Sequence, residues 1–256
     1  MRRIQRLPLP VAAQRYLDDR QARANAQLEA GTLNITSRWE DARGTKKIAG
    51  DHNSVLSTLE QMAGSGKRCM YCSDSRGGDI EHFRPKALHP EHAFCWPNLL
   101  LCCTRCGCFK LDDFPLDGQG QPLFIDPSVD DPWQHLDFDP DTGMLCPKVQ
   151  CEPSGALRTS ARGVQTCKTF RFAEEATQEG ARRTFRHLRR CVSDFLAEQP
   201  TPQVEALWQD LREEDTRGLL PWCWGEVGRA LHPFAELHTH FPTVWHTLAE
   251  RIHPAP

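Results

Sequence analysis

Nowhere in the chain does an apolar run approach the ~20 residues needed to cross a bilayer, which excludes a membrane-spanning helix. The start, MRRIQRLPLP, is basic but lacks the apolar stretch of an export signal. The expected compartment is therefore the cytoplasm, with no membrane partner. A large excess of one charge is also missing. The net charge is −3, which argues against a uniformly basic nucleic-acid binder. Neither an internal repeat nor a low-complexity tract is present. Hydrophobic residues at 39% and charged residues at 25% fit a globular protein, and 256 residues accommodate one large domain or two small ones.

Cysteine, by contrast, is plentiful, at twelve residues. Four fall into two CxxC pairs, Cys69/Cys72 and Cys103/Cys106, a spacing that favours metal over disulfides. Cys95, Cys102, Cys108, Cys146, Cys151, Cys167, Cys191 and Cys223 show no ligand spacing and read as reduced thiols. Charge is unevenly spread. Residues 67–110 carry seven Lys/Arg against four Asp/Glu, residues 111–152 one against ten, and residues 158–191 nine against three. Two basic blocks flanking an acidic one would hold a polyanion locally.

Four segments follow: helical 1–66, a cysteine module at 67–115, an acidic Pro/Gly-rich stretch with short strands at 116–157, and a helical 158–256. Residues 10–30 read as a helix stopped at Gly31. A second helix is expected in DHNSVLSTLEQMAG, capped by Asp51 and ended at Gly64. WPNLLLCCTRC suits a short helix after Asn98 or a strand. PLFI and HLDF are predicted strands, with DPDTG as a turn. Phe185, Leu188, Val192, Phe195 and Leu196 recur at helical spacing and are expected to face a core.

Thirty residues separate the two CxxC hooks. Four thiolates make a closed tetrahedral zinc site, tying the ends of a loop that is too small to supply its own core. Such a site has no open position, so this zinc is structural and any chemistry lies elsewhere. The tied loop contains GDIEHFRPK, with Glu81 and His82 adjacent and Asn98 sixteen residues beyond His82. Hydrolysing a phosphodiester needs an activated water, plus charge stabilisation that a divalent cation supplies. Glu81 suits a hard ion such as Mg²⁺. A neutral His82 suits the general base, Asn98 suits holding the imidazole or the loop, and Arg84, Lys86, Arg105 and Lys110 suit phosphates.

At CMYC…DIEHFRPK…WPNLLLCCTRCGCFK the chain resembles the HNH endonucleases, in their zinc-knuckle ββα-metal form. More narrowly, it is similar to the HNH subunit of Septu and retron-linked anti-phage defence systems. FPL at 114–116 and IDPSVDDPWQHLDF at 125–138 carry that narrower match, which spans roughly residues 1–140. The resemblance implies an α+β, mainly helical protein, with a zinc-stabilised ββα-metal module wrapped by N- and C-terminal helices. It implies His82 as general base, Glu81 as ligand of a catalytic Mg²⁺ or Mn²⁺, Asn98 as the middle motif residue, and the four cysteines on structural zinc. It also implies nucleic acid, DNA or RNA, as substrate and an SMC-like ATPase as partner. The family's last ligand position, after the fourth cysteine, is Gly107 here. Water, Asp112 or Asp113 would replace the ligand, with Asp79 a further candidate, or the site would be catalytically weak or dead. The competing function is a non-catalytic zinc module that docks on a partner ATPase or holds nucleic acid.

Other features have a plain and a sharp reading. His89 with His92, and His238 with His240, read as solvated or unpartnered pairs rather than metal sites. Trp222 and Trp224 read as core or interface. Arg182, Arg186 and Arg189 share one helix side, either as a solvated face or as a phosphate-tracking stripe.

Overall fold

The computed structural model describes residues 1–152, 155–197 and 203–253. Helices predominate in an α+β chain, with three two-stranded antiparallel sheets among the described residues. The chain forms two units. The first comprises essentially Arg3–Pro132 with Lys168–Phe170, and the second Trp133–Cys167 with the residues from Arg171 onward. The acidic stretch 116–157 is shared between them.

In the first unit, Pro10 precedes α1 (Val11–Glu29), which buries Ala13, Leu17 and Ala24. The chain turns at Gly31, whose φ of 66° favours glycine. Asn34 opens α2 (Ile35–Arg43) by accepting from the Ser37 N–H, and α3 (Lys46–Ala49) follows. Neither helix is marked by a strong apolar period. The next helix, α4 (Val55–Ala63), is capped by Ser54 rather than by Asp51. Ser54 and Ser57 exchange side-chain and backbone hydrogen bonds, satisfying two donors in a buried corner that an Asp three residues upstream does not reach.

Two short strands then form, β1 (Asp79–His82) and β2 (Leu99–Cys102), antiparallel with Asp79 opposite Cys102 and His82 opposite Leu99. Every β2 residue is buried, as an apolar LLLC run demands. Helix α5 (Thr104–Lys110) starts at Cys103, whose sulfur accepts from the Cys106 N–H. The strand expected at PLFI is absent. Only a single bridge, Leu116 to Pro122, forms there, because proline has no N–H to extend the ladder. Phe124 and Ile125 are buried from a loop instead.

In the second unit, β3 (Leu136–Phe138) pairs with β4 (Leu145–Pro147) across the DPDTG turn, closed by the Gly143 N–H on Asp139 O at 2.8 Å. A further hairpin joins β5 (Val149–Cys151) to β6 (Leu157–Thr159). Helices α6 (Ala161–Thr169), α7 (Glu175–Ala197), α8 (Val204–Glu214), α9 (Leu220–Cys223), α10 (Phe234–His240) and α11 (Pro242–Ile252) follow. Phe185, Leu188, Val192 and Phe195 are buried along α7, whereas Leu196 stays partly exposed. Trp222 meets Phe138 and Phe185 edge-on, and Trp224 stacks on Trp245 at 4.8 Å, so both tryptophans of PWCWG are core.

Candidate functional site

Cys69 and Cys72 lie in the loop ahead of β1, and Cys103 and Cys106 at the start of α5. Their four sulfurs are buried and within 4.8 Å of one another. A tetrahedral zinc with bonds of about 2.3 Å separates its sulfurs by about 3.8 Å, and Cys72 and Cys103 stand 4.0 Å apart. The four residues fit zinc. Among the described residues, no other group gathers three or more ligand side chains closely enough for an ion.

A cavity of about 460 Å³ opens beside this cluster, bordered by Trp39, Asp79, Glu81, His82, Lys86 and Gly107. Successive side chains of a strand point to opposite faces, yet Glu81 and His82, at the end of β1, border the same space. Glu81 Oε1 accepts from Lys110 Nζ at 3.0 Å. Burial pushes the Glu81 carboxyl above its ordinary range, opposed by Lys110 and Lys86. On α5, a Cβ built at Gly107 would stand 3.7 Å from Glu81 Oε2, with nothing else within 4 Å. An oxygen donor facing open space fits a hard cation that retains waters.

His82 is buried, with Nε2 2.9 Å from Ala93 O. A carbonyl only accepts, so Nε2 carries the proton and the Nδ1 lone pair is left available. Trp39, from α2, packs edge-on against the ring at 4.3 Å. Burial, reinforced by Lys86 and Lys110 against the Ala93 bond, lowers the imidazole pKa to about 3 and keeps it neutral.

Asn98 is buried and holds the loop rather than the ring. Its Oδ1 accepts from the Arg84 N–H at 2.7 Å, and Nδ2 donates to Arg84 O at 3.1 Å and His92 O at 2.9 Å. The other expected residues divide. Lys86 reaches the cavity. Arg84 lies over Phe114 and Arg105 over Phe109, each at 5.4 Å. Lys110, expected on phosphate, is fully buried and donates to Glu81 and to His82 O at 2.8 Å, so it is not positioned for a polyanion. Of the substitute ligands, Asp79 and Asp112 border the cavity, with Asp79 accepting from Thr104 Oγ1 at 3.1 Å. On α7, Arg182 and Arg186 both pair with Glu179, at 2.6 and 3.2 Å, and Arg189 lies over Phe185. His89 and His92 flank Glu91, and His238 packs on Trp245.

Sequence reasoning missed Trp39 and Ala93. A tryptophan among the charges of RWEDAR gives no signal that it meets a histidine 43 positions later, and a backbone carbonyl gives none at all.

No family model matches the chain. It is similar to the Septu protein PtuB of Bacillus thuringiensis, 33% identical over 109 residues that cover 38% of this chain and 40% of that protein. It is similar also to the Septu protein PtuB of Bacillus mycoides (strain KBAB4), 32% identical over 122 residues covering 36% and 40%. Each match thus spans less than half the length of the relative. Across the matched stretch the chain is PtuB-like.

Proposed function

We propose that the chain is an HNH-type endonuclease that hydrolyses phosphodiester bonds in DNA or RNA with Mg²⁺ or Mn²⁺. One observation carries the reading: Glu81, His82 and the open flank of Gly107 border one cavity on a strand–strand–helix unit joined to four clustered cysteines. Neutral His82, its Nε2 committed to Ala93, takes the proton of the attacking water at Nδ1. Trp39 and Ala93 hold the ring in place for that transfer. Glu81 would hold the divalent ion through Oε2, and the ion supplies Lewis-acid stabilisation of charge on the phosphate and leaving oxygen. Lys86 borders the cavity where a phosphate would lie, and Arg84 and Arg105 add positive charge to the module. The likeness to PtuB supports a setting in an anti-phage Septu complex in the cytoplasm. There an SMC-like partner ATPase would restrain a nuclease otherwise toxic to its cell.

Gly107 favours a second reading, a zinc module without catalysis that docks on the partner or holds nucleic acid. The experiment that separates the two incubates the purified chain, alone and with any co-purifying ATPase, with plasmid and with RNA in Mg²⁺ or Mn²⁺. Cutting that vanishes in His82→Ala supports the nuclease. No cutting by zinc-loaded protein under any condition supports the module.

A further inference from the structure

The two oxygens of Glu81 have different surroundings. Oε1 accepts from Lys110 at 3.0 Å, while Oε2 lies nearest the open flank of Gly107. Lys110 has no exposed surface, and its second hydrogen bond goes to the backbone of the neighbouring histidine, His82 O, at 2.8 Å. We propose that Lys110 is a positioning residue that commits one Glu81 oxygen internally, so that a divalent cation meets a single carboxylate oxygen and fills its remaining positions with water. The inference rests on the nuclease reading of this cavity.

Two physical consequences follow. The lysine and the ion share one carboxylate, so the fixed positive charge weakens cation binding. The site then favours ions that keep their hydration, as Mg²⁺ does. The same Nζ fixes both the carboxylate and the strand end that carries the imidazole. Removing it therefore strengthens ion binding while it disturbs the alignment of acid and base. A merely structural lysine gives no such opposition, because its loss weakens both.

The test is Mn²⁺ binding to the full, zinc-loaded chain, followed by electron paramagnetic resonance alongside cleavage. At a pH high enough to keep Glu81 ionised once its ammonium partner is lost, Lys110→Met and Lys110→Gln should bind Mn²⁺ at least about tenfold more tightly than wild type and cleave more slowly. Glu81→Gln should lose binding. Gly107→Asp, at a position with room for a side chain, should also bind more tightly and gain more thermal stability from Mn²⁺ than wild type does. Unchanged or weaker Mn²⁺ affinity in a folded Lys110 variant overturns the assignment and leaves the nuclease reading standing. Loss of fold in both Lys110 variants also overturns it, since the lysine would then be a folding requirement. Absence of Mn²⁺ binding in both wild type and Gly107→Asp removes the nuclease reading and this inference together.

Discussion

Asn98→Ala deletes three hydrogen bonds with one substitution. It strips the acceptor from the Arg84 N–H and the donor from the Arg84 and His92 carbonyls, at distances of 2.7, 3.1 and 2.9 Å. Asn98 as a residue is only 6% exposed, so water does not readily replace its amide. At roughly 1 kcal/mol per bond, the loss is about 3 kcal/mol. Asn98→Asp keeps the bond from Arg84 N but turns a carboxylate towards two carbonyls, and should cost at least as much. Both are measured by urea unfolding followed through zinc release, because the cysteine cluster lies in the same unit. With a slope of about 1–3 kcal/mol per molar, the midpoint should fall by about 1–3 M. Midpoints within about 0.2 M of wild type for both variants would refute a loop-holding Asn98. On the proposed nuclease reading, residual cleavage should track the folded fraction, since the side chain is spent on backbone partners.

Cys69→Ser should lower bound zinc, counted by elemental analysis, and destabilise the first unit; full zinc retention would remove Cys69 from the cluster. Burial raises the carboxyl of Asp215 despite hydrogen bonds from the Leu219 and Leu220 N–H groups. The folded chain then keeps a proton that the unfolded chain releases, so this stabilisation is present at low pH and is lost as pH rises through the folded pKa. Asp215→Asn should flatten that part of the melting temperature against pH, and an unaltered profile would count against it. Replacing Arg182, Arg186 and Arg189 together by alanine should change the log–log salt slope of nucleic-acid binding by less than about one, because two of them already pair with Glu179. A drop near three would restore the phosphate-tracking stripe.

The thiol cluster was legible because ligand spacing is local: two residues between paired cysteines leave a chemical mark on the string itself. That Glu81 and His82 are neighbours is equally local, whereas Gly107, which borders the same cavity, stands out in the sequence only through the resemblance to the HNH pattern. What escaped depends on distant packing. Lys110 reads as a surface cation until α5 lies against β1 and turns it inward, and Trp39 reads as one more residue of a charged helix. Local rules also compete. Asp51 is a good cap in isolation, but Ser54 and Ser57 satisfy each other closer to the apolar run. PLFI has strand composition, yet its proline cannot extend a ladder.

Helix α5, seven residues long and capped by Cys103, carries Cys106 in its first turn and Lys110 at its far end. That short rod works as a ruler. Each residue advances a helix by about 100° and 1.5 Å, so inserting one alanine between Cys106 and Lys110 would rotate the ammonium away from its carboxylate while leaving the sulfur cage untouched. Tolerance to insertion should therefore be sharply lower inside this helix than in the long polar loops that follow it.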